Sequence, residues 1–274
     1  MKRLLTAAVT VPAALAAIFL LPPRGFFLVL LLVTELEAFE LARLTRDWAP
    51  TAPRSALLVL VPAAAVLLSP MLVTGSIEPV SWEYLLTGAF ALSIGVGTIV
   101  LFGGTEAHEA IPALGVLGFG TIYLALPVAS LSYLQRLDPW LVFLLCAIVW
   151  LGDTAAYYCG SRWGRRKLSH FSPNKTWEGA IGSLTIALVS AAVWSAWRLG
   201  GVRPAILSLA AATSIAGQVG DLVESMIKRG AKIKDSGDFL PGHGGMLDRM
   251  DAMLFAAPAM VVLLWMLGVA RFLP

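Results

Sequence analysis

Apolar residues run along the chain in stretches of about twenty, the length a helix needs to cross the roughly 30 Å hydrocarbon core of a bilayer. Such stretches fall at 4–21, 25–42, 55–73, 84–102, 112–131, 139–158, 178–197, 204–227 and 252–271. Backbone groups in lipid must be satisfied within their own segment, so the pattern predicts an all-α polytopic transmembrane bundle of about nine spans. The first stretch, with Lys2 and Arg3 ahead of it and Ala13, Ala14, Ala16 and Ala17 inside it, has the outline of a secretory signal. We expect it to be retained as the first helix.

Composition agrees with lipid rather than water as the solvent. Of 274 residues 58% are hydrophobic and 14% charged, with a mean hydropathy of +0.80, where a soluble domain carries about 25% charged residues. The distribution of basic residues sets the orientation, because cytoplasmic loops collect Lys and Arg. With nine spans and a cytoplasmic N-terminus, 15 of the 20 basic residues lie inside, and only Arg24, Arg136, Arg198, Arg203 and Arg271 lie outside. The net charge of +3 therefore points to anionic headgroups and not to nucleic acid. Cys146 and Cys159 lack CxxC spacing and suggest neither a disulfide framework nor a zinc site.

Polarity divides the chain near residue 135. Residues 1–135 form hydrophobic helices with short loops, a scaffold for oligomer or lipid contact, and acids such as Glu35, Glu37, Glu40, Glu106 and Glu109 fall near predicted span ends. Residues 136–274 gather acids and bases at the cytoplasmic ends of several spans, joined by the polar loops 159–177 and 228–249. Chemistry is expected in this second region.

Its strongest segment begins with Gln218, Gly220 and Asp221. On a helix Asp221, Glu224, Ser225 and Lys228 share one face, at offsets of three, four and seven. Asp248 and Asp251, three apart at the start of the last span, point together if that turn is helical. Two facing helix ends would bring Asp221, Asp248 and Asp251 onto one cation. Hard carboxylate oxygens suit Mg²⁺, which completes its shell with water and substrate phosphate. Between the two segments, Pro241-Gly-His243-Gly244-Gly245 interrupts the helix, and its glycines would let backbone N–H groups approach an anion. Surface pairing with Lys228, Arg229 and Arg249 is the competing reading for any single acid.

A second segment carries Asp153 and Tyr157, one helical turn apart in a span with no other charge, where an acid marks a functional site or a buried partner for a base. Arg162, Arg165, Arg166 and Lys167 read mainly as positive-inside anchors. Lys175 and Thr176, ahead of a new helix with Glu178 in its first turn, fit phosphate contact. His243 reads as a phosphate donor or proton carrier, with a turn residue that hydrogen-bonds the backbone as the alternative.

The run Ser225-x-x-Lys228-Arg229-x4-Lys234-Asp235-x-Gly237-x2-Leu240-Pro241-x-His243-Gly-Gly-x2-Asp248-Arg249-x-Asp251 resembles the signature of bacterial phosphatidate cytidylyltransferases, the CDP-diacylglycerol synthases. Ser172-Pro-x-Lys175-Thr-Trp-Glu-Gly and Gln218-x-Gly-Asp221-x-x-Glu-Ser resemble the same family, so the likeness covers about residues 148–255. Asn174 stands where the family often has a basic residue. The resemblance implies transfer of the cytidylyl group of CTP to phosphatidate, releasing pyrophosphate, for phospholipid biosynthesis. It implies a divalent cation, with Asp221, Asp248 and Asp251 as ligands and Glu224 and Asp153 beside them or on a further cation such as K⁺. Lys175, Lys228, Arg229, Lys232, Lys234 and Arg249, with Thr176, Ser225, Gly244 and Gly245, would hold the two polyanions. The expected protein is a multi-pass homodimer of the bacterial inner membrane, with its active site on the cytoplasmic side. A CTP-dependent isoprenoid-alcohol kinase and an ion-coupled transporter are the alternatives.

Overall fold

The computed structural model describes residues 2–69, 82–237 and 244–269. Among them the ordered elements are helical with no β-strand, and Lys167 and Thr176 form an isolated antiparallel bridge. The chain divides into two compact units, Met1–Tyr133 with Gly230–Arg249, and Leu134–Arg229 with Met250–Pro274.

The first unit contains α1 (Lys2–Leu20), α2 (Pro23–Leu44), α3 (Leu57–Leu67), α4 (Trp82–Phe102) and most of α5 (Ala110–Leu137). Pro23 starts α2 because a first-turn residue needs no N–H partner. Its core is aliphatic, with Leu41, Leu57, Val61, Leu117 and Leu124 buried. Two acids of α2, Glu37 and Glu40, are buried as well, at 1% and 5% exposure. The connection from Gly230 to Arg249 returns to this unit.

The second unit contains α6 (Pro139–Cys146), α7 (Gly152–Trp163), α8 (Trp177–Leu199) and most of α9 (Pro204–Gly230), then, after the short α10 (Leu247–Met250), α11 (Met253–Met266). A π-helical turn, Ala147–Leu151, joins α6 to α7. One extra residue in a turn rotates the succeeding helix by about 100° and re-aims the side chains just beyond it, Asp153 first. Asp138 caps α6, accepting from the Trp140 amide at 3.0 Å, and pairs with Arg198 at 2.9 Å. Arg198 also lies over the rings of Trp140 and Trp197. This aromatic and basic belt, of the kind found where a bundle meets the membrane interface, sits at the start of α6 and the end of α8.

Apart from the buried Trp194, small residues face inward and large ones outward on α8. Gly179, Ser183, Ala187 and Ala191 are buried, while Ile181, Val189, Val193 and Trp197 are exposed. A helix in water would reverse this arrangement; in lipid the bulky face meets acyl chains and the small face lets backbones approach. A Cβ on Gly179 would stand 2.8 Å from the carbonyl oxygen of Ala156, so α7 and α8 pack backbone to backbone there.

Five helical segments are long and apolar enough to cross a bilayer: Ala107–Leu137, Pro139–Trp163, Trp177–Leu199, Pro204–Gly230 and Leu247–Met266. The described parts of α1, α3 and α4 give shorter apolar runs, and α2 carries Glu35, Glu37, Glu40 and Arg43. The protein is thus a multi-pass helical membrane bundle in which five of the expected spans meet the length criterion.

Because the Gly179 contact is with backbone, Gly179→Leu is expected to destabilise the protein by about 1–3 kcal/mol, read as a lower melting temperature in detergent. Gly201→Ala, with nothing within 4 Å of its Cβ position, should leave the melting temperature unchanged.

Candidate active site

The second unit brings three carboxylates together. One oxygen each from Asp221, Glu224 and Asp251 lies within 4.8 Å of the other two. Asp221 and Glu224 are three residues apart on α9, so one helix face presents both. Asp251 follows α10, and the contact that delivers it is at Gly220, whose Cβ would lie 2.8 Å from the Asp251 carbonyl oxygen and 3.0 Å from Phe255 Cβ. Any larger residue there would push Asp251 off α9.

Two ammonium groups enter the cluster. Lys175 forms an ion pair with Asp221 through Nζ and Oδ2. Lys228, one turn beyond Glu224, places Nζ 2.6 Å from Oε2 of that fully buried carboxylate. The loop before α8 aims Lys175. Leu168 N donates to the Lys175 carbonyl at 2.8 Å, Trp177 N to Arg166 at 3.0 Å, and Lys175 N to Ser172 at 3.0 Å. Glu178 Oε2 accepts from the amide of Arg165 at 3.1 Å. Asp153 of α7 lies close enough to Asp221, Lys175 and Asp251 to interact with all three. The cluster therefore holds four carboxylates and two ammonium groups, an excess of two negative charges that matches a divalent cation. Its hard carboxylate oxygens are the donor type that Mg²⁺ takes.

Of the four expected ligands, Asp221, Glu224 and Asp251 are the ones that converge; Asp248 is engaged within the first unit. The Asp248 Oδ2 accepts from Ser236 N at 2.8 Å, Ser236 Oγ at 3.0 Å and Gly245 N at 2.9 Å. Asp248 and Asp251 face different tasks because α10 is only four residues long and the chain turns at Asp251. Gly245, expected to offer its amide to an anion, donates it to Asp248 instead, and Gly244 takes φ +76°, a left-handed conformation that favours glycine.

Thr176 caps α8, accepting from the Gly179 amide at 3.1 Å, which explains its place beside Lys175 without a substrate. Ser225 is half-buried on α9, and Arg229, Lys232, Lys234 and Arg249 are exposed. His243 lies outside the described residues. Residue order did not single out Glu40, which accepts from Ser236 Oγ at 2.8 Å, Met246 N at 2.9 Å and Leu247 N at 2.9 Å. Its only sequence signal is an acid in the middle of an apolar pattern that other acids share.

The Cytidylyltransferase family model matches residues 1–267. The chain belongs to this family. Among its relatives, a phosphatidate cytidylyltransferase of Pseudomonas aeruginosa is 34% identical over 97% of both chains. One from Brucella suis is 37% identical over 64% of this chain and 69% of its own. One from Bacillus subtilis is 39% identical over 55% of this chain, and that match spans 58% of the relative's length. The family's transfer of a nucleotidyl group calls for charge neutralisation and positioning of phosphates, and the acidic and basic side chains of the cluster are suited to both.

Breaking the Lys228 pair tests the electrostatics directly. Lys228→Met removes the cation beside a fully buried Glu224 and is expected to destabilise the protein by about 3–5 kcal/mol. The Lys228→Met/Glu224→Gln double variant should regain most of the lost melting temperature in detergent.

Proposed function

We infer that the protein is a phosphatidate cytidylyltransferase, converting CTP and phosphatidate to CDP-diacylglycerol and pyrophosphate for phospholipid biosynthesis. The observation that carries this reading is the convergence of Asp221, Glu224 and Asp251 with Lys175 and Lys228 in a membrane-embedded member of the cytidylyltransferase family. The near-complete match to the Pseudomonas aeruginosa relative supports the substrates.

An oxygen of the phosphatidate headgroup forms a bond to the α-phosphorus of CTP as the bond from that phosphorus to the bridging oxygen of pyrophosphate breaks. The second ionisation of a phosphomonoester lies near pH 6, about one unit below neutrality. The nucleophile is therefore largely ionised already, and no general base is needed. What remains is to hold two polyanions in line and to offset charge on the departing pyrophosphate.

Asp221, Glu224 and Asp251 would hold Mg²⁺, which when bound supplies positive charge to the phosphoryl oxygens. Lys175, at Asp221, would offer its ammonium group to a phosphate, and Lys228 holds Glu224 in place. Asp153, which interacts with Asp221 and Lys175, would orient them or hold a further cation such as K⁺. Arg229, Lys232, Lys234 and Arg249, exposed at the ends of α9 and α10, receive the triphosphate, and we keep His243 and Ser225 with them. Asp248 serves by closing the connection that carries these groups.

The uneven distribution of basic residues supports nine spans with the N-terminus and the site on the cytoplasmic face of a bacterial inner membrane. CTP then arrives from the cytoplasm, while phosphatidate enters sideways with its acyl chains in the bilayer. The apolar first half supports assembly as a homodimer.

Purified full-length protein in detergent, given CTP, phosphatidate and Mg²⁺, should release pyrophosphate and CDP-diacylglycerol in equal amounts, and EDTA should stop both. Asp221→Asn and Asp251→Asn should each lower the rate at least 100-fold while remaining folded. Formation of CDP in place of pyrophosphate would instead indicate γ-phosphoryl transfer. No nucleotide turnover, with solute movement in proteoliposomes, would overturn the enzyme reading.

A further inference from the structure

Glu40 has no part in the cluster that holds the cation, yet it is among the best-satisfied carboxylates of the first unit. It is 5% exposed and lies near the end of α2, in the half of the chain whose composition offers least chemistry. Its three donors among the described residues come from one connection, residues 230–248: Ser236 Oγ on its near end, Met246 N and Leu247 N on its far end. A single carboxylate thus clips together two points ten residues apart.

The surroundings are built for that clip. A Cβ on Gly237 would meet Glu40 Oε1 at 2.9 Å, and one on Gly245 would collide with both Ser236 Oγ and Glu40 Oε2. Glycine at both positions lets the backbone close over the acid. Ser236 in turn touches Asp248 Oδ2 with its amide and its hydroxyl, at 2.8 and 3.0 Å, so Glu40, Ser236 and Asp248 form one continuous network. The clipped connection presents Lys232 and Lys234 to solvent on one side of Ser236 and Arg249 on the other. Lys232 adopts φ +59°, a conformation that is rare for a side-chain-bearing residue and persists only where neighbouring structure holds it.

We propose that Glu40 is a positioning residue for the nucleotide: by clipping Ser236 to Met246 and Leu247 it fixes the connection whose cations receive the triphosphate. The proposal rests on the transfer reaction inferred above. Glu40 touches no substrate. Its replacement by an amide substitutes an NH₂ donor for an oxygen that accepts from N–H or O–H groups, which opens the clip without changing its volume.

The test is steady-state kinetics on the full-length protein in detergent, varying CTP and phosphatidate separately, with hydrogen exchange of the Met246 and Leu247 amides measured in parallel. Glu40→Gln is expected to raise KM for CTP at least tenfold, to leave KM for phosphatidate within twofold, and to speed exchange at both amides at least tenfold. Ser236→Ala should raise KM for CTP at least threefold, and the double variant should be no worse than Glu40→Gln alone, because both changes open one network. Glu37→Gln, at a buried acid one turn earlier on α2, should leave both KM values within twofold. If Glu40→Gln proves unstable, Ser236→Ala alone carries the test. Unchanged KM for CTP, or KM values for both substrates rising together, would overturn the proposal. Wild-type protein that turns over no CTP would sink the transfer reaction and leave amide exchange to decide whether the clip exists.

Discussion

Carboxylates crowded into a membrane protein repel one another unless positive charge is brought to them, and the second unit is organised around that demand. Asp221, Glu224 and Asp251 converge from α9 and the start of the last helical segment. Lys175 and Lys228 enter the cluster, and the excess of acid suits a divalent cation. Burying Glu224 completely is tolerable only because Lys228 comes one helical turn later. The same spacing that pairs them also puts Asp221 on the shared face, so one stretch of α9 supplies two carboxylates, one counter-charge and their common orientation.

Packing delivers the rest. The α9 helix accepts the last segment at Gly220, where absence of a side chain lets the Asp251 backbone come within contact of the helix. In the same unit α7 and α8 meet through Gly179 and Ala156, setting Asp153 and the Lys175 loop on neighbouring elements. Small residues inside and large apolar ones outside are what lipid permits, since apolar burial itself drives little association there. Function and fold thus use the same glycines: close backbone approach is both how these helices adhere and how acids from separate segments reach one point.

Much of this was legible from residue order. Periods of apolar sequence marked the helices, and the offsets of Asp221, Glu224 and Lys228 marked a shared face by spacing alone. Asp251 joined Asp221 as its position suggested. The bonds of Asp248 to Ser236 and Gly245 were not legible, because three-residue spacing implies a common face only while a helix continues, and α10 ends after four residues. Glu40 was obscured for a different reason: its partners lie about 200 residues away in the chain, and nothing local to α2 distinguishes it from Glu35 or Glu37. The π turn ahead of Asp153 likewise leaves no periodic trace, since one extra residue in an apolar run changes orientation without changing hydropathy.

The account stands on a cation held between two helical segments by acids that sequence separates and packing joins. Crystals of the full-length protein soaked with Mn²⁺ and measured at the manganese absorption edge examine this without recourse to activity. The account predicts one dominant anomalous peak at coordination distance from Asp221, Glu224 and Asp251 together. A dominant peak bound elsewhere, or Asp251 turned away from α9 with Asp221 and Glu224 ligating no metal, would contradict it.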